Sequence, residues 1–368
     1  MEKNNGFKRQ IFEIVGVFCS ILYAIPVFFW SFFVATLRKD SDFVLGCLSD
    51  EISHDYFRDK VIWITGSSSG IGKSLAIIFS ELSVNYKIPL SLILTSRSSN
   101  VLSLLKSELV EKIGIPEENI LILSFDIGDI SVIDSKVEEA INWKGRIDIF
   151  YNNAGVGQKA ILGKFESDKK VMMVNLLGPM MISRLLLHKC FIPQKYGHLI
   201  NTLSIQAYIP LPGRCSYGAS KRANLSFFQS LRMELEGINW DDYLSTEIFK
   251  NEIESRNIFS SSPEIVITNI YPGHVKTEFD VRNIIYDGSS IGGISNMNGM
   301  NPRKCAELMI KSTTNKLKEV WIARGFELVF TYISYYSPNV SKLISDILNK
   351  KFVDKVWELE KSHLKKST

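Results

Sequence analysis

Tyr217 and Lys221 stand four residues apart in the stretch Tyr217-Gly218-Ala219-Ser220-Lys221. On a helix that spacing sets both side chains on one face, one turn apart. A neighbouring ammonium favours phenolate and draws a tyrosine down from its ordinary pKa of ~10. A phenol tuned that way can donate a proton to a carbonyl or take one from an alcohol. Alone the pair is commonplace, because many helices pack a tyrosine and solvate a lysine. Its meaning depends on the polar residues the chain brings near it. Carbonyl reduction needs a hydride donor, a proton donor and polar groups where charge develops on oxygen. Tyr217 can donate the proton. Ser204, closing the apolar run His198–Leu203, offers a polar group from a separate element.

The elements that must position these residues begin at Val61-Ile62-Trp63-Ile64, which reads as a buried strand. It leads into Thr65-Gly66-Ser67-Ser68-Ser69-Gly70-Ile71-Gly72, and an amphipathic run from Lys73 to Leu82 follows. Strand, glycine-rich turn and helix is the context of a dinucleotide site: glycines let the backbone approach a pyrophosphate, and the helix N-terminus offers N–H groups and a positive dipole end. A second strand, Ser91–Thr95, ends at Ser96-Arg97. Where an acid would meet a ribose 2′-hydroxyl, Arg97 suits a 2′-phosphate, so the expected cofactor is NADP(H). Ile120–Phe125 is a third strand, closed by Asp126-Ile127, where the acid can meet an adenine amino group. Ile147–Tyr151 is a fourth, running into Asn152-Asn153-Ala154-Gly155, whose small residues let a strand end pass close to a cofactor. Strands are expected again at His198–Leu203 and Ile265–Ile270, the latter leading into Tyr271-Pro272-Gly273-His274-Val275-Lys276-Thr277. Helical patterns between the strands predict βαβ units, and so an α/β fold with one doubly wound parallel sheet of Rossmann type. Lys164–Cys190 reads as a long helix. Asn175 within it is a poor interior helix residue, so it marks a kink or has a task of its own.

These motifs, in this order, resemble the short-chain dehydrogenase/reductase family over about residues 58–325: T-G-x-x-x-G-x-G at Thr65–Gly72, N-N-A-G at Asn152–Gly155, Asn175, Ser204, Y-x-x-x-K at Tyr217–Lys221 and P-G…T at Pro272–Thr277. The resemblance implies that Tyr217 is the acid/base and that Lys221 holds the nicotinamide ribose. It implies that Ser204 orients the substrate oxygen and Asn175 maintains a water relay towards Lys221. It also implies that Thr277 and the backbone of Val275 contact the carboxamide. The chain is more closely similar to the membrane-anchored branch that includes 11β-hydroxysteroid dehydrogenase type 1 and retinal/steroid-type reductases. That branch implies a lipophilic ketone, aldehyde or alcohol as substrate, with a ketosphingoid-type lipid reductase or an idle NADP(H)-binding scaffold as alternatives. Ala207 departs from a glycine common after the serine motif, which is expected to narrow the substrate floor.

The 368 residues carry a net charge of +4, too mild to argue for nucleic acid. Neither the dispersed cysteines nor the dispersed histidines have metal-ligand spacing, and no metal is expected. Ile14–Leu37 contains no charged residue and is long enough to cross a bilayer, where ~20 helical residues suffice. The expectation is a single-pass N-terminal anchor over residues 1–40, in the endoplasmic reticulum membrane. Ile238–Ser262 reads as a surface insertion, and Asp287–Met300 as a lid in which Met297 and Met300 can pack on substrate. Residues 326–368 read as a C-terminal helical tail; its apolar stretch Phe326–Leu348 is broken by Glu327, Pro338, Lys342 and Asp346 and makes a poor second span. A homodimer is compatible with this organisation.

Overall fold

A computed structural model describes residues 40–48, 52–244, 262–290 and 299–367, with Leu22, Ile25, Pro26 and Phe29 of the N-terminal segment. Along β1 (Lys60–Thr65), Val61 and Trp63 join the hydrophobic cluster on one side of the sheet, and Ile62 and Ile64 the cluster on the other. A strand buried on both faces belongs in the middle of a parallel sheet covered by helices. The remaining strands are β2 (Leu90–Thr95), β3 (Ile120–Ile122), β4 (Ile149–Asn152), β5 (Tyr196–Thr202), β6 (Glu264–Pro272) and β7 (Glu319–Ile322). All pair in parallel in one seven-stranded sheet of order β3-β2-β1-β4-β5-β6-β7. The order reverses between β1 and β4. Helices that leave those strands in opposite directions open a crevice at the strands' C-terminal ends.

The doubly wound, Rossmann-type sheet predicted from the sequence is therefore present as one domain. Helices α1 (Gly70–Asn85), α2 (Ser99–Glu108) and α6 (Pro302–Thr314) pack Leu75, Phe79, Leu105 and Met309 against Ile62, Ile64 and Leu92. On the opposite face, α3 (Ile130–Lys144), α4 (Phe165–Phe191) and α5 (Cys215–Gly237) pack Val137, Ile182, Leu186 and Phe228 against Trp63, Ile93 and Phe150. Trp63 buries its indole without stranding the donor, since Nε1 bonds Thr95 Oγ1 at 2.8 Å. Two helices close the described chain, α7 (Gly325–Tyr336) and α8 (Pro338–Ser367).

Register on one side of the sheet is fixed by a row of polar side chains. Asn152 aligns with Asn201, Asn201 with Asn269, and Asn269 with Glu319. Asn152 Nδ2 donates to Asn201 Oδ1 at 2.8 Å, Asn201 Nδ2 to Asn269 Oδ1 at 3.3 Å, and Asn269 Nδ2 to Glu319 Oε1 at 3.2 Å. Arg232 and the Tyr271 hydroxyl also bond Glu319, so the row ends on a neutralised carboxylate.

A second polar chain ties the segment before β1 to the other end of the sheet. The hydroxyl of Thr268 donates to Leu317 O at 2.6 Å, so it accepts from His198 Nε2 at 2.9 Å. His198 is thus the Nε2–H tautomer, and its Nδ1 accepts from the Tyr56 hydroxyl at 2.8 Å. Tyr196 donates in turn to Tyr56 Oη at 3.1 Å. Asp42 closes the open edge of β7: its N–H donates to Trp321 O at 2.9 Å and its carboxylate accepts from Trp321 N at 2.8 Å.

Several expectations change. β3 stops at Ile122 rather than Phe125, although Leu123 N and Phe125 N still bond Leu94 O and Ser96 O. The insertion does not begin on the surface: Trp240 is buried, and it packs with Tyr243 and Leu244 on the core beneath α5. Its remainder, 245–261, lies outside the described residues, as does Met297. Met300 is buried in the α1/α6 core and its backbone bonds His274 O and Lys276 N, so it faces away from any substrate. Ala207 is likewise not on a substrate floor; it packs with Leu203, Leu225 and Tyr271. The expected anchor falls outside the described residues, apart from Leu22, Ile25, Pro26 and Phe29, which are helical and exposed. Among the described residues one helix, α4, is long and apolar enough to cross a membrane, but 56% of its apolar window is buried within the protein.

Burial pushes the His198 imidazole from 6.5 down to about 3. The unfolded chain therefore takes up this proton first as pH falls, and stability declines below 6.5. Thermal midpoints measured between about pH 7 and 5 should fall for the wild type and flatten in His198→Gln, which keeps a donor and an acceptor but cannot charge.

Candidate active site

At the crevice between β1 and β4 the sequence motifs converge, and the close approaches explain their residue types. Thr65 is buried and serves the neighbouring strand rather than a ligand. Its Oγ1 accepts from Asn153 N at 3.0 Å and Ala154 N at 3.1 Å, and donates to Tyr151 O at 3.2 Å. Asn153 returns the contact through Nδ2 to Thr65 O at 3.0 Å. Gly66 has φ +72° and lies against Ala154, so a side chain there would be strained as well as crowded. At Gly72 a Cβ would stand 2.3 Å from Gly66 O, which forces glycine where the turn folds back on its own helix. At Gly70 a Cβ would meet Thr277 Cγ2 at 2.9 Å, so the loop after β6 rests directly on the glycine-rich turn.

A cleft of about 550 Å³ opens over these contacts, within the ~300–1,000 Å³ usual for ligand pockets. Its walls include Gly66, Ser68, Ser69, Gly70 and Ile71 from the first turn, and Arg97, Asp126 and Ile127 from the ends of β2 and β3. Asn153, Ala154 and Gly155 come from β4, and Pro272, Gly273, Val275 and Thr277 from the loop after β6. Ser204, Tyr217 and Lys221 line the same cleft. Thr65, Gly72 and Asn175 lie behind the walls. Arg97 is presented by a loop that Ser124 Oγ holds through Ser96 O at 3.0 Å and Arg97 O at 3.2 Å. One oxygen of Asp126 accepts from Gly128 N at 2.9 Å.

Tyr217 and Lys221 stand on the first turns of α5, where Lys221 Nζ lies 5.9 Å from the centroid of the Tyr217 ring. Lys221 is buried and donates to Thr202 O at 2.8 Å. Loss of water around the ammonium lowers its pKa from 10.5 to about 8. The Tyr217 ring meets Phe279 edge-on at 5.8 Å, and the Arg214 guanidinium at 5.7 Å. Ser204 Oγ accepts from Gln206 N at 3.1 Å, which orients the hydroxyl at the end of β5.

Asn175 has a task of its own within the helix. It sits in a π-helical turn, Met173–Leu177, inside α4. Its Oδ1 accepts from Val156 N and its Nδ2 donates to Val156 O, both at 2.8 Å. Asn224, buried on α5, donates to the carbonyl of Asn175, which the widened turn leaves accessible. α4 is thereby fastened both to the turn after β4 and to the helix that carries Tyr217.

Three contributors were not legible in the sequence. Gln158 is buried and Oε1 accepts from Ser216 N at 2.9 Å and Tyr217 N at 3.4 Å, capping the first turn of α5 from outside. Asp168 holds Gln158 Nε2 at 2.9 Å and also bonds Ser216 Oγ. Glu327, from α7, reaches the loop after β6, where its carboxylate accepts from His274 N at 3.1 Å. A Cβ at Gly273 would stand 2.4 Å from Glu327 Oε2. Phe326 and Phe330 of α7 also line the cleft, as do Ile205, Ile209 and Leu211. No sequence signal marked these residues, because each acts across a long gap in the chain.

The comparisons with known proteins agree with this geometry. The sequence model of the short chain dehydrogenase family matches residues 60–239. Human dehydrogenase/reductase SDR family member 7 is 30% identical over 310 residues, spanning 80% of this chain and 79% of that protein. Dehydrogenase/reductase SDR family member 7B of Xenopus tropicalis is 28% identical over 293 residues, spanning 77% and 84%. Among solved structures, an alcohol dehydrogenase of Thermococcus sibiricus complexed with 5-hydroxy-NADP superposes with a TM-score of 0.54 at 21% identity, covering 73% of this chain and 98% of that one. A short-chain dehydrogenase of Sphingobium yanoikuyae in complex with NADPH gives 0.53 at 20% identity, covering 71% and 87%. Fold and cleft are those of a Rossmann-type oxidoreductase. The chain belongs to the short-chain dehydrogenase/reductase family.

Gln158→Met removes the acceptor for the first turn of α5 while keeping the volume. Leaving those buried N–H groups unpaired should destabilise the protein by about 1–3 kcal/mol, read as a lower thermal midpoint.

Proposed function

We propose that this protein is an NADP(H)-dependent oxidoreductase that transfers hydride between the nicotinamide and a lipophilic carbonyl/alcohol pair of steroid, retinoid or lipid-ketone type. The observation that carries the reading is the placement of Tyr217, Lys221 and Ser204 in one cleft with the glycine-rich turn and Arg97. The residues fit a dinucleotide: Gly66, Ser68, Ser69, Gly70 and Ile71 line the cleft at the N-terminus of a long helix. When bound, the nicotinamide supplies or accepts the hydride. The chain's own residues do the rest. Tyr217 holds the proton at its hydroxyl, Ser204 orients the substrate oxygen, and Lys221 holds the ribose and favours phenolate. Thr277 and the Val275 backbone hold the carboxamide. Asn175 keeps the turn after β4 close to Lys221; a Cβ at Gly155 would lie 3.3 Å from Asn175 Oδ1 and 3.7 Å from Lys221 Nζ.

NADP(H) over NAD(H) rests on Arg97 at the end of β2 and on the absence of an acid there. The lipophilic substrate is supported by the apolar side chains Phe326, Phe330, Ile205 and Ile209 among the cleft's walls. In this reading residues 1–40 anchor the protein in the endoplasmic reticulum membrane, 58–325 form the catalytic domain, and 326–368 form a helical tail that helps wall the cleft. Membrane attachment is supported by the uncharged run Ile14–Leu37.

The first test is NADPH oxidation by the full chain in detergent with steroid, retinoid, quinone and long-chain ketones. Turnover should fall at least ~100-fold in Tyr217→Phe while NADPH binding persists. Absence of turnover with every carbonyl would refute the reductase reading, and an unselective loss in Arg97→Asp would refute the NADP(H) preference. Lys221 passes from ammonium to amine at about 8. NADPH affinity should therefore weaken as pH rises through about 8, and the dependence should vanish in Lys221→Met. Release of full-length protein by alkaline carbonate would remove the anchor.

A further inference from the structure

The loop after β6 carries a cation that the motif reading left without a task. Beyond Thr277 the chain forms a short 3₁₀ segment, Glu278–Arg282, whose last residue lines the same cleft. Arg282 Nη1 donates to Ser69 Oγ at 3.2 Å, and its Nη2 pairs with the Glu278 carboxylate. Ser69 is the N-cap residue of α1 and its side chain makes no capping bond to that helix. The guanidinium therefore lies against the glycine-rich turn, next to the N-terminal end of α1. Half of the Arg282 side chain is exposed, so the Glu278 pair is screened and weak. A diphosphate between Arg282 and the turn would offer a better partner, because planar guanidinium groups bind phosphate oxygens two at a time.

We propose that Arg282 is a diphosphate latch, which exchanges Glu278 for the pyrophosphate of the bound dinucleotide. The inference rests on the dinucleotide reading above. Arg97 and Arg282 then divide the work: Arg97, at the end of β2, selects the 2′-phosphate, and Arg282 holds the part common to NADPH and NADH. Glu278 competes with the cofactor for the guanidinium. The segment is otherwise held on its far side, where Ile284 N bonds Gly157 O and Lys159 N bonds Ile284 O, both at 2.9 Å. The latch would thus join the two ends of the cleft, cofactor turn at one and the loop after β4 at the other.

The test measures dissociation constants of NADPH and NADH, by fluorescence titration of the full chain in detergent, for wild type, Arg282→Gln and Glu278→Gln. In Arg282→Gln both cofactors should weaken by the same factor, about ten-fold for a lost charge-assisted contact, leaving the NADPH/NADH ratio unchanged. Glu278→Gln should tighten both, since it removes the competitor. A merely structural ion pair predicts instead that both substitutions weaken binding alike, and that result overturns the proposal. Unchanged binding in Arg282→Gln, or loss confined to NADPH, overturns it too; the latter would place Arg282 at the 2′-phosphate. If wild type binds neither cofactor, it is the dinucleotide reading that falls, and the latch with it. Matching thermal midpoints of the variants show that they are folded.

Discussion

A buried ammonium is the constraint around which the site is built. Lys221 has lost its water, and an unpaired charge in such surroundings costs several kcal/mol. The Thr202 carbonyl, at the C-terminal end of β5, is the partner that keeps it there. That bond ties α5 to the end of β5, with Tyr217 one turn earlier on the same helix. It also makes the surrounding network necessary. Asn175 and Gln158 satisfy backbone groups of the turn after β4 and the start of α5, so neither can drift away from the charge. Burial also lowers the Lys221 pKa from 10.5 to about 8.

The second constraint is the closeness of backbones. Three loops from distant parts of the chain touch where Gly66, Gly70 and Gly72 leave no room for a side chain. Thr65 and Asn153 then lock two of those loops by bonds in both directions. Thr277 rests on the third contact. The cleft floor is therefore one packed unit, rather than a set of flexible loops that meet a ligand independently.

This arrangement explains how much the sequence disclosed. Residues whose role depends on their own strand, turn or helix were legible, because the spacing is local: the glycine-rich turn, Asn153 to Gly155, and the Tyr217–Lys221 face. The parallel sheet followed from strands alternating with helical patterns. Asn175 was legible as an anomaly, a poor helix residue in a helix, and the π-helical turn accounts for it. Gln158, Glu327 and Arg282 were not legible, since each acts on a residue that only the tertiary fold brings near. Met300 and Ala207 were misplaced for the same reason. Loop composition suggested a substrate contact for Met300, and the resemblance placed Ala207 on the substrate floor; both pack in the core instead.

The row Asn152–Asn201–Asn269–Glu319 has a further consequence. An amide side chain is nearly symmetric in shape, and a line of three could point its donors in either direction along the sheet. Here every Nδ2 points towards β7, because the last acceptor is a carboxylate and carries no proton to give. One charge at the sheet edge therefore sets the orientation of amides three strands away, and the row behaves as a polarised wire whose far terminus is Asn152. There Asn152 Oδ1 is left buried without a partner, directly before the turn that carries Asn153. The acceptor end of the row thus falls at Asn152, three strands from the glutamate that ends it on β7.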